Sequence, residues 1–281
     1  MTKIKIVTDS TCDIESSILQ ELGVTVVPLS ININGKSYLD GVDISKKEFA
    51  HLLVTNEELP KSSQPPVGEF VRIYEELLDE PDTHVLSIHM TSAMSGTVAS
   101  AQMAADELNG RVTVVDSCFI SIALSFQVKR AAELANKGAS LDSILNEIAD
   151  IRSKTSLYIV VDTLEYLAKG GRIGKGKALL GSLLKIKPIA SLQDGSYTPV
   201  TTKRSQKQVL DFLSETFEKE TDSKDVEHVG IAHIEAESFS EQVMERLKKV
   251  RQHFSSSILE TSPIISTHTG PGAIALMYYT K

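Results

Sequence analysis

The sequence predicts an α/β chain of two domains: an N-terminal doubly wound, mostly parallel sheet over residues 1–154, and a C-terminal two-layer α+β unit with a mixed or antiparallel sheet over 155–281. Three observations carry this expectation. In the first half, β-branched runs alternate with small polar loops and amphipathic helices, the pattern of parallel β-α-β units. Near residue 155 the pattern changes to hairpins mixed with helices. The length of 281 residues and an apolar content of 41% suffice for one large core or two smaller ones.

In chain order, the strand IKIVT leads through DSTCD to the helix IESSILQEL. SININGKSYLDGVDI follows as a hairpin turning at Asn34-Gly35, a pair that tolerates the left-handed positions of a type I′ turn. Ser45 opens a helix with a capping box, and SSQPPVGEF opens another at a proline pair. HVLSIHM, TSAMSGT and VASAQMAADEL repeat the strand, loop and helix arrangement, as do RVTVV, DSCF and ISIALSFQVKRAAELANKG. Ligands of such sheets sit beyond the carboxyl ends of the strands, which gathers Asp9, Ser10, Ser92, Ser95, Asp116 and Ser117 on one rim. In the second half, LYIVVD precedes two short helices around Gly170, and KPIASLQDGSYTPVTTKR forms a hairpin turning at Asp194-Gly195. Helices from Ser205 and Ser238 flank the strand HVGIAHI, and PIISTHTGPGAIALMYY reads as two strands joined by a glycine-rich turn. A ligand cleft is expected between the two domains.

A net charge of −8 argues against a nucleic-acid binder, which needs a basic face to neutralise phosphates. Cys12 and Cys118 suit free thiols in a reducing compartment, and His89, His233 and His268 lack metal-ligand spacing. MTKIKIVTDS enters a strand pattern directly, and no apolar run approaches the roughly 18 residues of a membrane span. A cytoplasmic protein without stable membrane insertion is expected.

The glycine-rich stretch GGRIGKGKALLGS, Gly170 to Ser182, approaches a phosphate-binding P-loop, reading G-x-x-x-x-G-K from Gly171. Ala178 stands where a P-loop needs a magnesium-binding hydroxyl, and the helical DTLEYLAK separates the glycines from the strand. Three other loops offer anion-binding groups. In TSAMSGT, Ser95 Oγ and the amides of Gly96 and Thr97 can hold a carboxylate or phosphate at a helix N-terminus, or simply cap that helix. KSSQPPV places Ser62 and Ser63 before a helix, and THTGPG places Thr267, His268 and Thr269 in a turn. An autonomous serine hydrolase or small-molecule kinase using the Ser95 and His268 loops is the alternative enzyme reading. It lacks a nucleophile elbow, because Ala93 and Thr97 flank Ser95 where G-x-S-x-G requires glycines.

Seven segments, IVTDSTCD, SSQPPVGEF, MSGTVASAQMAA, VVDS, LAKGGRI, KIKPIASLQDG and HTGPGAIAL, occur in the order and spacing of the DegV family, so nearly the whole chain resembles it. That family's members resemble the fatty-acid-binding subunit of bacterial fatty acid kinase. The resemblance implies a two-domain carrier, without catalysis of its own, that holds one long-chain fatty acid and presents its carboxylate to a separate kinase subunit. It requires no cofactor here, since ATP and Mg²⁺ belong to the partner. Carboxylate contacts fall on Ser62, Ser95 and His268, with Ser63, Gly96, Thr97 and Thr269 beside them. Ser62 replaces the threonine of the family's T-S-Q-P pattern and keeps the hydroxyl. Partner docking falls on Arg172 and, secondarily, Arg204, and the glycine-rich stretch then reads as an exposed basic handle with Lys175 and Lys177.

Overall fold

The computed structural model describes residues 2–56, 58–179 and 186–281. The end of the glycine-rich stretch from Leu180, and Lys185 of KIKPIASLQDG, lie outside the described residues.

The first half supplies β1 (Lys3–Asp9), α1 (Ser16–Leu22), β2 (Thr25–Val27), β3 (Ser30–Ile33), β4 (Lys36–Leu39), α2 (Lys46–Thr55) and β5 (Lys61–Ser63). It continues through α3 (Val67–Leu78), β6 (Thr83–His89), α4 (Thr97–Asp106), β7 (Val112–Asp116), α5 (Ser121–Asn136) and α6 (Leu141–Ser153). β1, β2, β6 and β7 form an all-parallel sheet in the order β2-β1-β6-β7. Chain connections leave β1 in one direction and β6 in the other. The carboxyl ends of these two strands therefore flank the switch point where doubly wound sheets bind ligands. β3, β4 and β5 form a separate antiparallel flap. Its hairpin turns at Asn34 and Gly35, with φ of 52° and 81°, as the Asn-Gly pair predicts.

The second half contains β8 (Thr155–Val160), α7 (Glu165–Lys169), a 3₁₀ turn (Gly174–Leu179), β9 (Lys187–Gln193), β10 (Ser196–Lys203) and α8 (Gln206–Glu220). It ends with β11 (Val226–His233), α9 (Glu237–Val250), β12 (Ser255–Glu260), α10 (Pro263–Thr269) and β13 (Ile274–Thr280). The six strands make one mixed sheet, β10-β9-β8-β13-β11-β12, in which only β11 and β12 run parallel.

Two expectations are corrected here. PIISTHT is a helix, α10, rather than a strand. Ser262 caps it by accepting from the Ile265 amide at 3.4 Å, and Pro263 occupies its first turn, where a missing amide costs nothing. The second strand of the closing region is β12, whose serine-rich SSSILE lacks the apolar signal of a strand.

α8 and α9 cover one face of the mixed sheet, packing Leu213, Phe217 and Val243 against Ile189, Val229 and Leu276. α5 lies between the other face and the parallel sheet. Ten of its sixteen residues are buried, and a Cβ at Gly230 of β11 would come within 2.5 Å of Ile122. One apolar cluster runs from Ile6 and Leu86 through Ile122 and Ala123 to Leu157 and Met277, so both sheets share a core through this helix. Residues 121–128 are buried without a break, so the N-terminal half of α5 has no solvent-facing side, and only its C-terminal half is amphipathic.

Candidate functional site

The parallel sheet, the flap, α7 and α10 converge on an apolar cleft with about 550 Å³ of empty space, its mouth included. Leu29, Met90, Ile120, Ile159, Leu167 and Ile264 form much of its wall. Its polar groups are Ser62, Ser63, Gln64, Ser95, Arg172, His268 and Thr269.

Each polar group is delivered by a different element. Ser62 and Ser63 end β5, whose pairing with β3 places Ser62 opposite Ile31. Ser95 precedes α4; its Oγ accepts from the Thr97 amide at 3.3 Å and shares a 2.8 Å hydrogen bond with Thr97 Oγ1. His268 lies in the last turn of α10, and its Nε2 meets Ser62 Oγ at 2.7 Å. That bond joins residues 206 positions apart in sequence. Burial, helped by nearby Arg172, pushes the His268 pKa down to about 4, so the imidazole is neutral at physiological pH. Its Nδ1 is buried and has no hydrogen-bond partner among the described residues. A Cβ on Gly170 would overlap that nitrogen, which explains a glycine at this position.

Of the residues expected to bind an anion, Ser62, Ser63, Ser95, His268 and Thr269 reach the cleft. Thr269 spends its hydroxyl on the Ile265 carbonyl at 3.1 Å. Thr97 is fully buried and contributes its amide and hydroxyl to Ser95, while Gly96 is the N-cap of α4. Ser95 therefore helps cap the helix and also faces the cleft.

Arg172 departs from expectation. It is not an exposed handle outside the cleft; it is half-buried in the cleft wall, donating from Nε to Met94 O at 3.0 Å and from Nη1 to Gly170 O at 2.7 Å. The local turn of GGRI aims the side chain inward, where it spans the α7 and α4 loops. Lys175 and Lys177 are exposed. Arg204 is exposed on a separate groove beside Gln208, Asp211 and Glu215.

Sequence reasoning missed Gln64, which lines the cleft and donates from Nε2 to Ser100 Oγ at 3.1 Å, tying the Ser62 loop to α4. Its place directly after Ser62 and Ser63 was the available signal. The apolar wall gave none, because Leu29, Met90 and Ile264 come from three distant segments.

The hydrolase arrangement is not formed. His268 bonds to Ser62 rather than Ser95, and no carboxylate orients its Nδ1 among the described residues. A Ser-His-Asp chain does exist elsewhere: Ser87 Oγ to His89 Nε2 at 2.6 Å, and His89 Nδ1 to Asp9 Oδ2 at 3.1 Å. All three residues are fully buried, and Tyr74 donates to Ser87 at 2.8 Å. Burial alone would raise Asp9, yet bonds from His89, Thr11 and Met90 hold its carboxyl below the ordinary value. The network fixes the start of the Met90–Ser95 loop.

Residues 3–281 match the DegV family of uncharacterised proteins. This chain belongs to the DegV family. It is 41% identical to a DegV domain-containing protein of Listeria monocytogenes over 281 residues, the full length of both chains. Among solved structures it is similar to a DegV family protein from Thermus thermophilus described as binding fatty acid, with TM-score 0.94 and 34% identity over the whole of both chains. DegV from Bacillus subtilis, described as a fatty acid binding protein, aligns over both complete chains with TM-score 0.91 and 29% identity. No helix among the described residues of this DegV protein is long and apolar enough to cross a membrane.

Proposed function

We propose that this DegV protein binds one long-chain fatty acid and presents its carboxylate to a separate ATP-dependent kinase subunit, which forms the acyl phosphate. The observation that carries the reading is the Ser62–His268 hydrogen bond, set beside Ser95 in an otherwise apolar cleft. That arrangement suits an amphiphile with a small anionic head. The fatty-acid-binding descriptions of the Thermus and Bacillus relatives support it.

The tail supplies most of the affinity, at about 0.8 kcal/mol per buried CH₂ before association costs. Hydroxyls and one neutral imidazole orient the head, at about 1.5–3 kcal/mol for each bond to the charged group. The N-terminus of α4, behind Ser95, adds a partial positive charge. Arg172 adds a cation to the cleft wall, so the head-group set extends beyond hydroxyls and imidazole. The exposed Arg204 is the proposed kinase-docking cation, and the kinase subunit brings ATP and Mg²⁺. The protein acts in the cytoplasm and catalyses nothing alone.

Extraction of the purified protein followed by mass spectrometry tests the first half of the proposal: about one equivalent of long-chain fatty acid is expected. Failure to recover lipid, even after incubation with fatty acid, sinks it. Mixing the loaded protein with its kinase subunit, ATP and Mg²⁺ tests the second half, and absence of acyl phosphate rejects presentation while leaving lipid binding standing.

A further inference from the structure

Beneath α10 a second, smaller cavity adjoins the cleft, with about 310 Å³ of empty space, its mouth included, and shares Ile120, Ile159, Ile265 and Thr269 with it. Ala232, Ala273 and Ala275 floor it, leaving room that larger side chains would fill. Its polar lining is Ser121, Thr261, Thr269 and His233. Three of these four are committed elsewhere. Ser121 Oγ and Thr261 Oγ1 donate to Asp13 Oδ2 at 2.6 and 2.5 Å, and Thr269 Oγ1 donates to the Ile265 carbonyl at 3.1 Å.

His233 is the exception. It is 5% exposed, and its Nδ1 is buried with no hydrogen-bond partner among the described residues. Burial holds the ring below its ordinary pKa, against the opposing pull of Glu260 and Glu237, so the imidazole is neutral. A neutral ring nitrogen is a donor or an acceptor according to tautomer, and either form fits a hydroxyl. A plain hydrocarbon chain lying against it would leave the nitrogen unsatisfied.

α10 serves as a ruler between the two chambers. His268 lies in its last turn, while the His233 carbonyl accepts from the Thr261 amide at 2.8 Å, just before the helix begins. Seven residues of helix span roughly 10 Å. A tail running under α10 from the head-group cluster meets His233 partway along its length.

We infer that His233 is a specificity-determining residue for fatty acids carrying a hydrogen-bonding oxygen, such as a hydroxyl, in mid-chain. The inference rests on the carrier reading above. Sites built to hydrogen-bond a hydroxyl discriminate against analogues lacking it, because a buried group is then left unpaired.

The test is competitive binding, read by mass spectrometry of the protein–ligand complex, using octadecanoic acid and its derivatives hydroxylated at carbon two, carbon ten or the terminal carbon. The carbon-ten derivative is expected to bind at least as tightly as the plain acid, and the other two isomers about tenfold more weakly, the cost of burying an unpaired hydroxyl. His233→Phe is expected to turn the preference about tenfold toward the plain acid, and His233→Gln to keep the carbon-ten derivative competitive. Each preference is a ratio within one protein, so partial loss of folding cancels. If the unmodified protein binds octadecanoic acid but rejects the carbon-ten derivative tenfold, or if His233→Phe leaves the ratio unchanged, this inference falls alone. If no acid binds, the carrier reading falls first.

Discussion

The Ser62–His268 pair shows how a single contact sets the chemistry of the proposed head-group site. Ser62→Ala removes the only hydrogen-bond partner of the His268 ring among the described residues, whereas Ser95→Ala leaves the pair intact. Ser95→Ala and His268→Ala are each expected to weaken fatty-acid retention by about 1–3 kcal/mol, measured by titration of delipidated protein. Acyl-phosphate formation should fall further than binding, because a rotated carboxylate loses the geometry for in-line transfer. Gly170→Ala reaches the same ring from behind. Its new methyl would overlap His268 Nδ1, and the φ of Gly170 is −76°, so the effect is steric rather than conformational. Reduced lipid retention with little change in denaturation midpoint is expected. Unchanged retention would show that the imidazole does not orient the ligand.

At the scale of elements, the flap is the part whose stability answers to pH. Asp40 follows β4, is 2% exposed, and neither carboxylate oxygen has a well-formed hydrogen bond among the described residues. Burial pushes its pKa up to about 7, with Ser10 and Lys46 opposing and the carboxylates of Asp13 and Asp9 adding to the rise. The folded protein therefore keeps this proton up to about pH 7, while the unfolded chain releases it near 4. Between those values the native state binds more protons, so this group makes stability fall as pH rises. Asp40→Asn is expected to match the parent near pH 4 and to exceed it at pH 8 by on the order of 4 kcal/mol, measured by urea denaturation at both values. The backbone links this switch to the site: Asp40 N donates to the Leu29 carbonyl at 2.9 Å, and Leu29 lines the cleft.

Across the whole molecule, the two sheets are joined by α5 and by one buried carboxylate. Asp13 accepts from Ser121 Oγ in the first half, and from Thr261 Oγ1 and the Ser262 amide in the second. Burial raises its pKa, with Lys46 and these donors opposing. Because a single apolar cluster threads both sheets, the halves should unfold together, with circular dichroism and hydrogen exchange reporting one transition. Gly230→Ala would drive a methyl toward Ile122 and is expected to cost about 1–3 kcal/mol. Two resolved transitions in the unmodified protein would contradict the shared core.

Local chemistry was readable wherever neighbouring residues decide the outcome. The alternation of β-branched runs and amphipathic helices specified the parallel sheet, Asn34-Gly35 and Asp194-Gly195 specified their turns, and the hydroxyl-rich loops at Ser62 and Ser95 pointed to two sides of the cleft. Reading Ser262-Pro263 as a helix start would have recovered α10 as well, since both residues favour the first turn. The direction of Arg172 was beyond the sequence. Its exposure depends on the Met94 and Gly170 carbonyls, one of them 78 residues away, and no local rule fixes where a long cationic side chain finds its acceptors. The same holds for the unpaired nitrogen of His233 and the chamber around it. Cavities and unmet hydrogen bonds are left where distant surfaces meet imperfectly, so only the assembled tertiary structure determines them.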